Sequence, residues 1–410
     1  MKKILLPLAA IMLWSCSEEI DVPLAENAEP QSETAELLSP YDQAAIAISQ
    51  KAIGSISGTA ASRSAAPLLT LKETLCYPAA SRGADEEQPV TIYNFNEGGY
   101  SVVKNIGSYP ELLVYSDKGR FDPADEIPRM LLTMAMDFQD SIPTSKYSVD
   151  PVVTGPTRWH YDHICNAKRI HEFEAKVPKL LKTEWNNGVP YNFSMIVDGQ
   201  SGVMNTGCGP IAVAQILAYH KHPQYIDGQE CRWDVYTANP RVETYDDFAY
   251  ELAGIINSIA SGCKVTGVYD RDNMIMGVKC KISDVSNYLQ SLGFKNRLNR
   301  GLSVSKINFD LIARCPIIML GFTNDQNPEK DAGHIFIIDG VEEENYRDEY
   351  YNTETKEYCE TLYTHKINYH VNWGLVKYED SYVSSSLMGG FNKNIVFIDK
   401  ITTKEPTINF

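Results

Sequence analysis

The apolar positions along the chain recur with two different periods, and the change of period divides it into regions. Val90 to Phe95 alternates like a strand, Asn96-Glu97-Gly98-Gly99 reads as a turn, and Tyr100 to Val103 as the returning strand. Glu111 to Tyr115 predicts a further strand, closed by Ser116-Asp117-Lys118-Gly119. From Asp125 the period lengthens, and Ile127, Met130, Leu131, Met134 and Phe138 fall on one helical stripe. Upstream, Ser39-Pro40 supplies an N-cap and a first-turn proline for a helix through AAIAISQKAIGSI. Residues 39–142 thus predict a small α+β unit without a catalytic cluster. Residues 143–175, of mixed charge, read as a connector.

Over residues 176–410 the order is helices first and strands second. Helical patterning surrounds Cys208 and covers Asp246–Ala260 and Val285–Leu292. Apolar strands follow in PIIMLGF (316–322) and HIFIIDGVE (334–342), then tyrosine-rich segments lead to HVNWG. That order is the signature of an α+β fold with a helical lobe and an antiparallel β lobe. The many tyrosines between 345 and 369 suit sheet faces better than a ligand platform.

The N-terminus reads as an address. Lys2 and Lys3 precede an apolar run, Ile4 to Leu13, too short to span a bilayer and suited to a signal-peptide core. Leu13-Trp14-Ser15-Cys16 resembles a lipobox, which makes 1–16 the signal and Cys16 the lipidated residue. Ser17-Glu18-Glu19 resembles a surface-export tag, and residues 17–38, rich in Glu, Ala, Pro and Ser, read as a tether. The expectation is an exported protein, a precursor on the outer membrane or cell surface, touching membrane only through its lipid. The net charge of −16 argues against a nucleic-acid partner.

Nine cysteines show no CxxC spacing, so no structural zinc site and no cofactor are expected. His220 and His222 have H-x-H spacing without an accompanying carboxylate, and Asp325 and Asp331 read as solvated loop acids. Cys208 is different. It stands between two glycines in MNTGCGPIAVAQILAYHKHP, at the start of a helix with Pro210 in its first turn. A helix N-terminus favours thiolate, and its unpaired N–H groups suit an oxyanion. A buried structural cysteine fits the local pattern as well.

A nucleophilic thiol needs a base, and the base an orienting partner. His334 opens an apolar strand after Gly333; a satisfied core histidine is the alternative. Asn372 and Trp373 lie in YHVNWG. The order Cys, His, Asn is that of papain-like enzymes.

With WNNGVPYN (185–192), NTGCGPIAVAQILAYHKHP (205–223), AGHIFIIDG (332–340) and YHVNWG (369–374), the chain resembles the streptopain family of papain-like cysteine proteases. TIYNFNEGGYSVV and PELLVYSDKGRFD resemble that family's propeptide. The resemblance implies a papain-like catalytic domain at 176–410, an inhibitory prodomain at 39–142 and a processing linker at 143–175, cut between about Lys168 and Lys182. It implies Cys208 as nucleophile, His334 as general base and acid, Asn372 orienting His334, and Trp373 shielding that pair. Gly333 would line the substrate cleft through its backbone. The family carries an oxyanion-hole glutamine where this chain has Asn187, one methylene shorter. Ala332 replaces a glycine, Leu375 a tryptophan, and VKYEDSYVSSS a glycine-rich loop; residues 278–283 correspond to part of a P2 pocket wall. The implied activity is that of a secreted or surface-tethered cysteine endopeptidase made as a zymogen, acting on proteins or peptides. A non-catalytic surface lipoprotein of the same fold and a thiol acyltransferase are the rival readings.

Overall fold

The computed structural model describes residues 40–57, 69–75, 90–132 and 333–385 with short gaps, 165–201, 205–269, 275–321 and 395–403. The signal with Cys16, the tether and the loop at 322–332 lie outside the described residues. Among the described residues eleven strands form one sheet. In chain order they are β1 (Leu69–Leu75), β2 (Val90–Phe95), β3 (Tyr100–Ile106), β4 (Tyr109–Ser116) and β5 (Cys165–Val177). Then come β6 (Phe294–Arg300), β7 (Ile317–Gly321), β8 (His334–Asn352), β9 (Tyr358–Asn372), β10 (Ser381–Ser384) and β11 (Val396–Thr403). The spatial order is β1-β2-β3-β4-β10-β9-β8-β7-β11-β6, with β5 also paired to β8, and every pairing is antiparallel.

The apolar runs of β7 and β8 are continuous rather than alternating because both faces of the sheet are covered there. Successive side chains point to opposite faces. Ile317 and Met319, with Phe336, Ile338 and Phe397, join one core together with Val90, Ile92, Val102 and Val114 of the N-terminal unit. Ile318 and Leu320, with Ile335, Ile337 and Ile398, join the other. Helices supply that second core: α2 (Cys208–His220), the short α3 (Trp233–Tyr236), α4 (Ala249–Gly262) and α5 (Ile282–Ser291). Another helix, α6 (Val304–Ile312), packs Ile307 and Leu311 on the first face. At the N-terminus α1 (Pro40–Ser57) sets Ala45 and Ile46 against Tyr93, Phe95 and Val103.

Two expectations change here. The N-terminal unit does not stand apart: β4 pairs with β10 through Val114↔Val383 and Tyr115↔Tyr382, so its strands extend the main sheet. The connector expected at 143–175 becomes a strand from Cys165 onward, laid along the second half of β8. A bulge hides it from the sequence pattern. Asn345 faces Phe173 and Tyr346 faces His171, so Glu172 is the extra residue that breaks the alternation. Elsewhere the helices at 249–262 and 282–291 fall close to their predicted ranges.

Truncating the central strand tests this two-faced core. Ile337, fully buried in β8, should cost about 2–5 kcal/mol as Ile337→Ala, read from denaturant unfolding.

Candidate functional site

α2 starts at Cys208 because the chain enters it through a residue that only glycine fills comfortably. Gly207 has φ 81°, and a Cβ there would come within 2.8 Å of Val278 Cγ2. A Cβ on Gly209 would overlap the sulfur of Cys280. Beyond this entry the helix is buried on every side from Gly209 to Ala218, which accounts for its uniformly apolar sequence. Cys208 is half-buried at the end of this rigid rod, and helix geometry leaves the first-turn N–H groups without intrahelical acceptors.

β8 brings its first residues to the same point. The Ile335 N–H donates to Cys208 Sγ at 3.4 Å, so the sulfur lies against the peptide that follows His334. Ile335 points toward the helices, and His334, one residue earlier, toward the opposite face with Phe336. The His334 ring lies 6.3 Å from the Trp373 ring at an interplanar angle of 24°. Its Nε2 stands 2.8 Å from the Trp373 carbonyl oxygen. A carbonyl can only accept, so Nε2 carries the proton and Nδ1 keeps the lone pair. Burial pushes the imidazole pKa down to about 4 against the raising effect of that bond, leaving it neutral at ordinary pH.

Asn372 goes elsewhere. Its Oδ1 accepts from Gln215 Nε2 at 2.9 Å, while its Nδ2 donates to Gln215 Oε1 and to the Thr183 carbonyl, both at 3.1 Å. Register gives the reason. Asn372 pairs with Ile337, and paired residues share a face, so Asn372 points to the helical side where Gln215 of α2 is buried. His334 lies three residues along the strand, roughly 10 Å, on the other face. The orienting contact expected from the Asn372 side chain is made instead by the Trp373 main-chain carbonyl. Trp373 is fully buried against Phe336 at 5.2 Å and lies beside His334, where shielding was expected of it.

Asn187 ties the approach to α2 to the exit from β9. Its N–H donates to the Gly374 carbonyl at 3.0 Å, and its own carbonyl accepts from Thr206 N at 2.9 Å. The side-chain Oδ1 accepts from Val376 N at 3.4 Å, which leaves Nδ2 as the end of the amide not used by that bond. Gly333 is half-buried directly before β8. Val278 and Cys280, from the segment expected to form part of a pocket wall, abut the two glycines beside Cys208. His220 and His222 both set ring edges on Phe294 at 5.3 Å, and His222 Nε2 meets the Leu292 carbonyl at 3.0 Å. Among the described residues no cluster of His, Cys, Asp and Glu is arranged to hold a metal ion.

Gln215 is the residue that sequence reasoning missed. It also accepts from Trp185 N at 3.1 Å, so it joins three chain segments around one buried amide. The signal was present as a lone polar residue in the middle of IAVAQILAYH.

Comparison with known proteins agrees with this architecture. Residues 185–274, a stretch that includes Asn187 and Cys208, match the model of the Peptidase C10 family. The chain is 25% identical over 177 residues to the thiol protease/hemagglutinin PrtT of Porphyromonas gingivalis, a match covering 40% of this chain and 19% of that protein. The chain thus spans about a fifth of the length of the curated relative it matches. A solved fragment of prointerpain A from Prevotella intermedia superposes with a TM-score of 0.50 at 17% identity, covering 81% of this chain and 100% of that one. The chain is thus similar in sequence to the Peptidase C10 family over residues 185–274 and shares the α+β fold of the prointerpain A fragment.

Two measurements check the site. Gln215→Met strands the buried Asn372 Oδ1 and the Trp185 N–H, and should cost about 1–3 kcal/mol of unfolding free energy for each group left without a partner. The folded His334 protonates near pH 4 and an unfolded histidine near its ordinary 6.5. Between those values the unfolded chain binds more protons, so stability falls as pH drops through that window. Unfolding curves at pH 7 and pH 5 should show a larger loss for the wild type than for His334→Gln.

Proposed function

We propose that the chain is an exported cysteine endopeptidase made as a zymogen, with Cys208 as nucleophile and His334 as its base. One observation carries this reading: the Ile335 N–H meets Cys208 Sγ at 3.4 Å, which sets the residue after His334 against the thiol at the N-terminus of a buried helix. Neutral His334, with its proton on Nε2, offers Nδ1 to the thiol proton. The thiolate attacks a peptide carbonyl, and the oxyanion is received by first-turn N–H groups of α2 and by Asn187 Nδ2. The imidazolium returns its proton to the leaving amine, and water then hydrolyses the thioester to acid and thiol. The Trp373 carbonyl holds Nε2–H through the cycle, while Asn372 and Gln215 keep β9 and α2 together behind it.

The N-terminal unit acts as prodomain, and Gly333 borders the substrate. Cutting inside β5 would have to break a strand paired along β8, so maturation falls before Cys165 rather than in the window from Lys168. The mature catalytic domain keeps β5 as its first strand, and a lipid on Cys16 stays with the propeptide.

In the full-length protein under mild reduction, self-processing, labelling by an epoxide thiol reagent and peptide cleavage should all occur and should vanish in Cys208→Ala. If wild type does none of these after its N-terminal unit is removed, the fold serves binding and the reading fails. Transfer of the acyl group to an added amine in place of hydrolysis would mark a transferase. Asn187→Ala should lower kcat by about 10²–10³ with little change in KM, as removal of one oxyanion donor does.

A further inference from the structure

His334 depends on Trp373, whose carbonyl takes its Nε2–H and whose ring lies beside its own. Trp373 itself sits just past the end of the ladder, since β9 stops at Asn372. Its ring is packed in the core, and two consecutive residues that follow β9 accept its backbone and indole N–H groups. Asp380 Oδ1 accepts the Trp373 backbone N–H at 3.2 Å, and Ser381 Oγ accepts the indole Nε1–H at 3.0 Å. Ser381 opens β10 opposite Val371, so the clamp is anchored in the same sheet that carries His334.

Asp380 is poorly explained as a surface acid. Its carboxyl is set among His370 of β9, Asp339 of β8, Glu184 and Lys179 of the segment before α2, and its neighbour Glu379, with Lys118 of the N-terminal unit nearby. Burial is the main cause that lifts its pKa to about 7, with Asp339 and Glu184 adding to the rise and His370 and Lys179 opposing it. The backbone of Asp380 is also held: its carbonyl accepts Ser116 Oγ at 2.9 Å. A carboxyl kept in so unfavourable a place, and aimed at a main-chain N–H, fits a part whose value lies in what it fixes.

We propose that Asp380 and Ser381 are positioning residues for the reaction argued above. They hold the main chain and the indole of Trp373, so that its carbonyl keeps the proton on His334 Nε2 and the lone pair on Nδ1. The proposal rests on the cysteine-peptidase reading. The need is for an acceptor at Oδ1 rather than for a charge, which separates this role from an ion pair.

The test uses the full-length chain and compares Asp380→Asn, Asp380→Leu and Ser381→Ala with wild type for peptide hydrolysis and for unfolding midpoint. Asparagine keeps the Oδ1 acceptor and should retain kcat within a few-fold. Leucine and Ser381→Ala should lower kcat by about 10- to 100-fold with KM nearly unchanged, the scale expected for a displaced catalytic group. A second readout needs no turnover. In Cys208→Ala the imidazole ¹⁵N shifts of His334 should report the Nε2–H tautomer, and adding Asp380→Leu should mix the two tautomers. If the leucine variant does not fold, Asp380→Asn and Ser381→Ala decide the matter by the same readings. Active wild type with kcat unchanged in Ser381→Ala and Asp380→Leu overturns the proposal, as does a tautomer signal that none of the variants moves. Inactive wild type whose tautomer still responds to Asp380→Leu overturns the peptidase reading and leaves the clamp supported.

Discussion

One pairing, Ile337 opposite Asn372 in the β8–β9 ladder, sorts the polar side chains of the site between two faces of a sheet. Everything of odd parity on that part of β8 meets the helices, and everything of even parity meets the other core. Asn372 and Gln215 therefore become a reciprocal amide pair between strand and helix. His334 and Trp373 become a stacked pair on the far side. A slip of one residue would exchange the two sets, and burial on both faces is what forbids the slip.

The two cores divide the labour. The helical core makes α2 a fully packed support for Cys208, and the absence of side chains at Gly207 and Gly209 lets that support press against Val278 and Cys280. The opposite core, shared with strands from the N-terminal unit, encloses Trp373 and Phe336 and drives water from the His334 ring. The depressed basicity of that imidazole is a consequence of how this second core is filled.

What could be read from the sequence follows from how local each signal is. Cys208 stood out through its flanking glycines and Pro210, a pattern that a buried structural cysteine fits as well, and the strand carrying His334 through an unbroken apolar run. The α+β class was visible in the order of periods. The link between Asn372 and Gln215 was not, because which face a strand residue takes depends on a register set across the sheet. Main-chain groups such as the Trp373 carbonyl leave no mark in a sequence at all. β5 was concealed by the extra residue at Glu172, and the merging of the N-terminal strands into the main sheet depends on an edge pairing that no periodicity encodes.

That edge pairing has a consequence of its own. Only Val114 and Tyr115 of β4 are matched to β10, a strand of four residues, and the seam is reinforced by Tyr115 stacked on Tyr382 at 5.1 Å. A short seam peels readily, yet while it holds, the flank of β10 is satisfied by hydrogen bonds from within the same chain. Loss of the N-terminal unit would turn that flank into an open row of N–H and C=O groups. The N-terminal strands thus cover one border of the sheet, a border that without them would present the kind of unpaired edge on which further strands add.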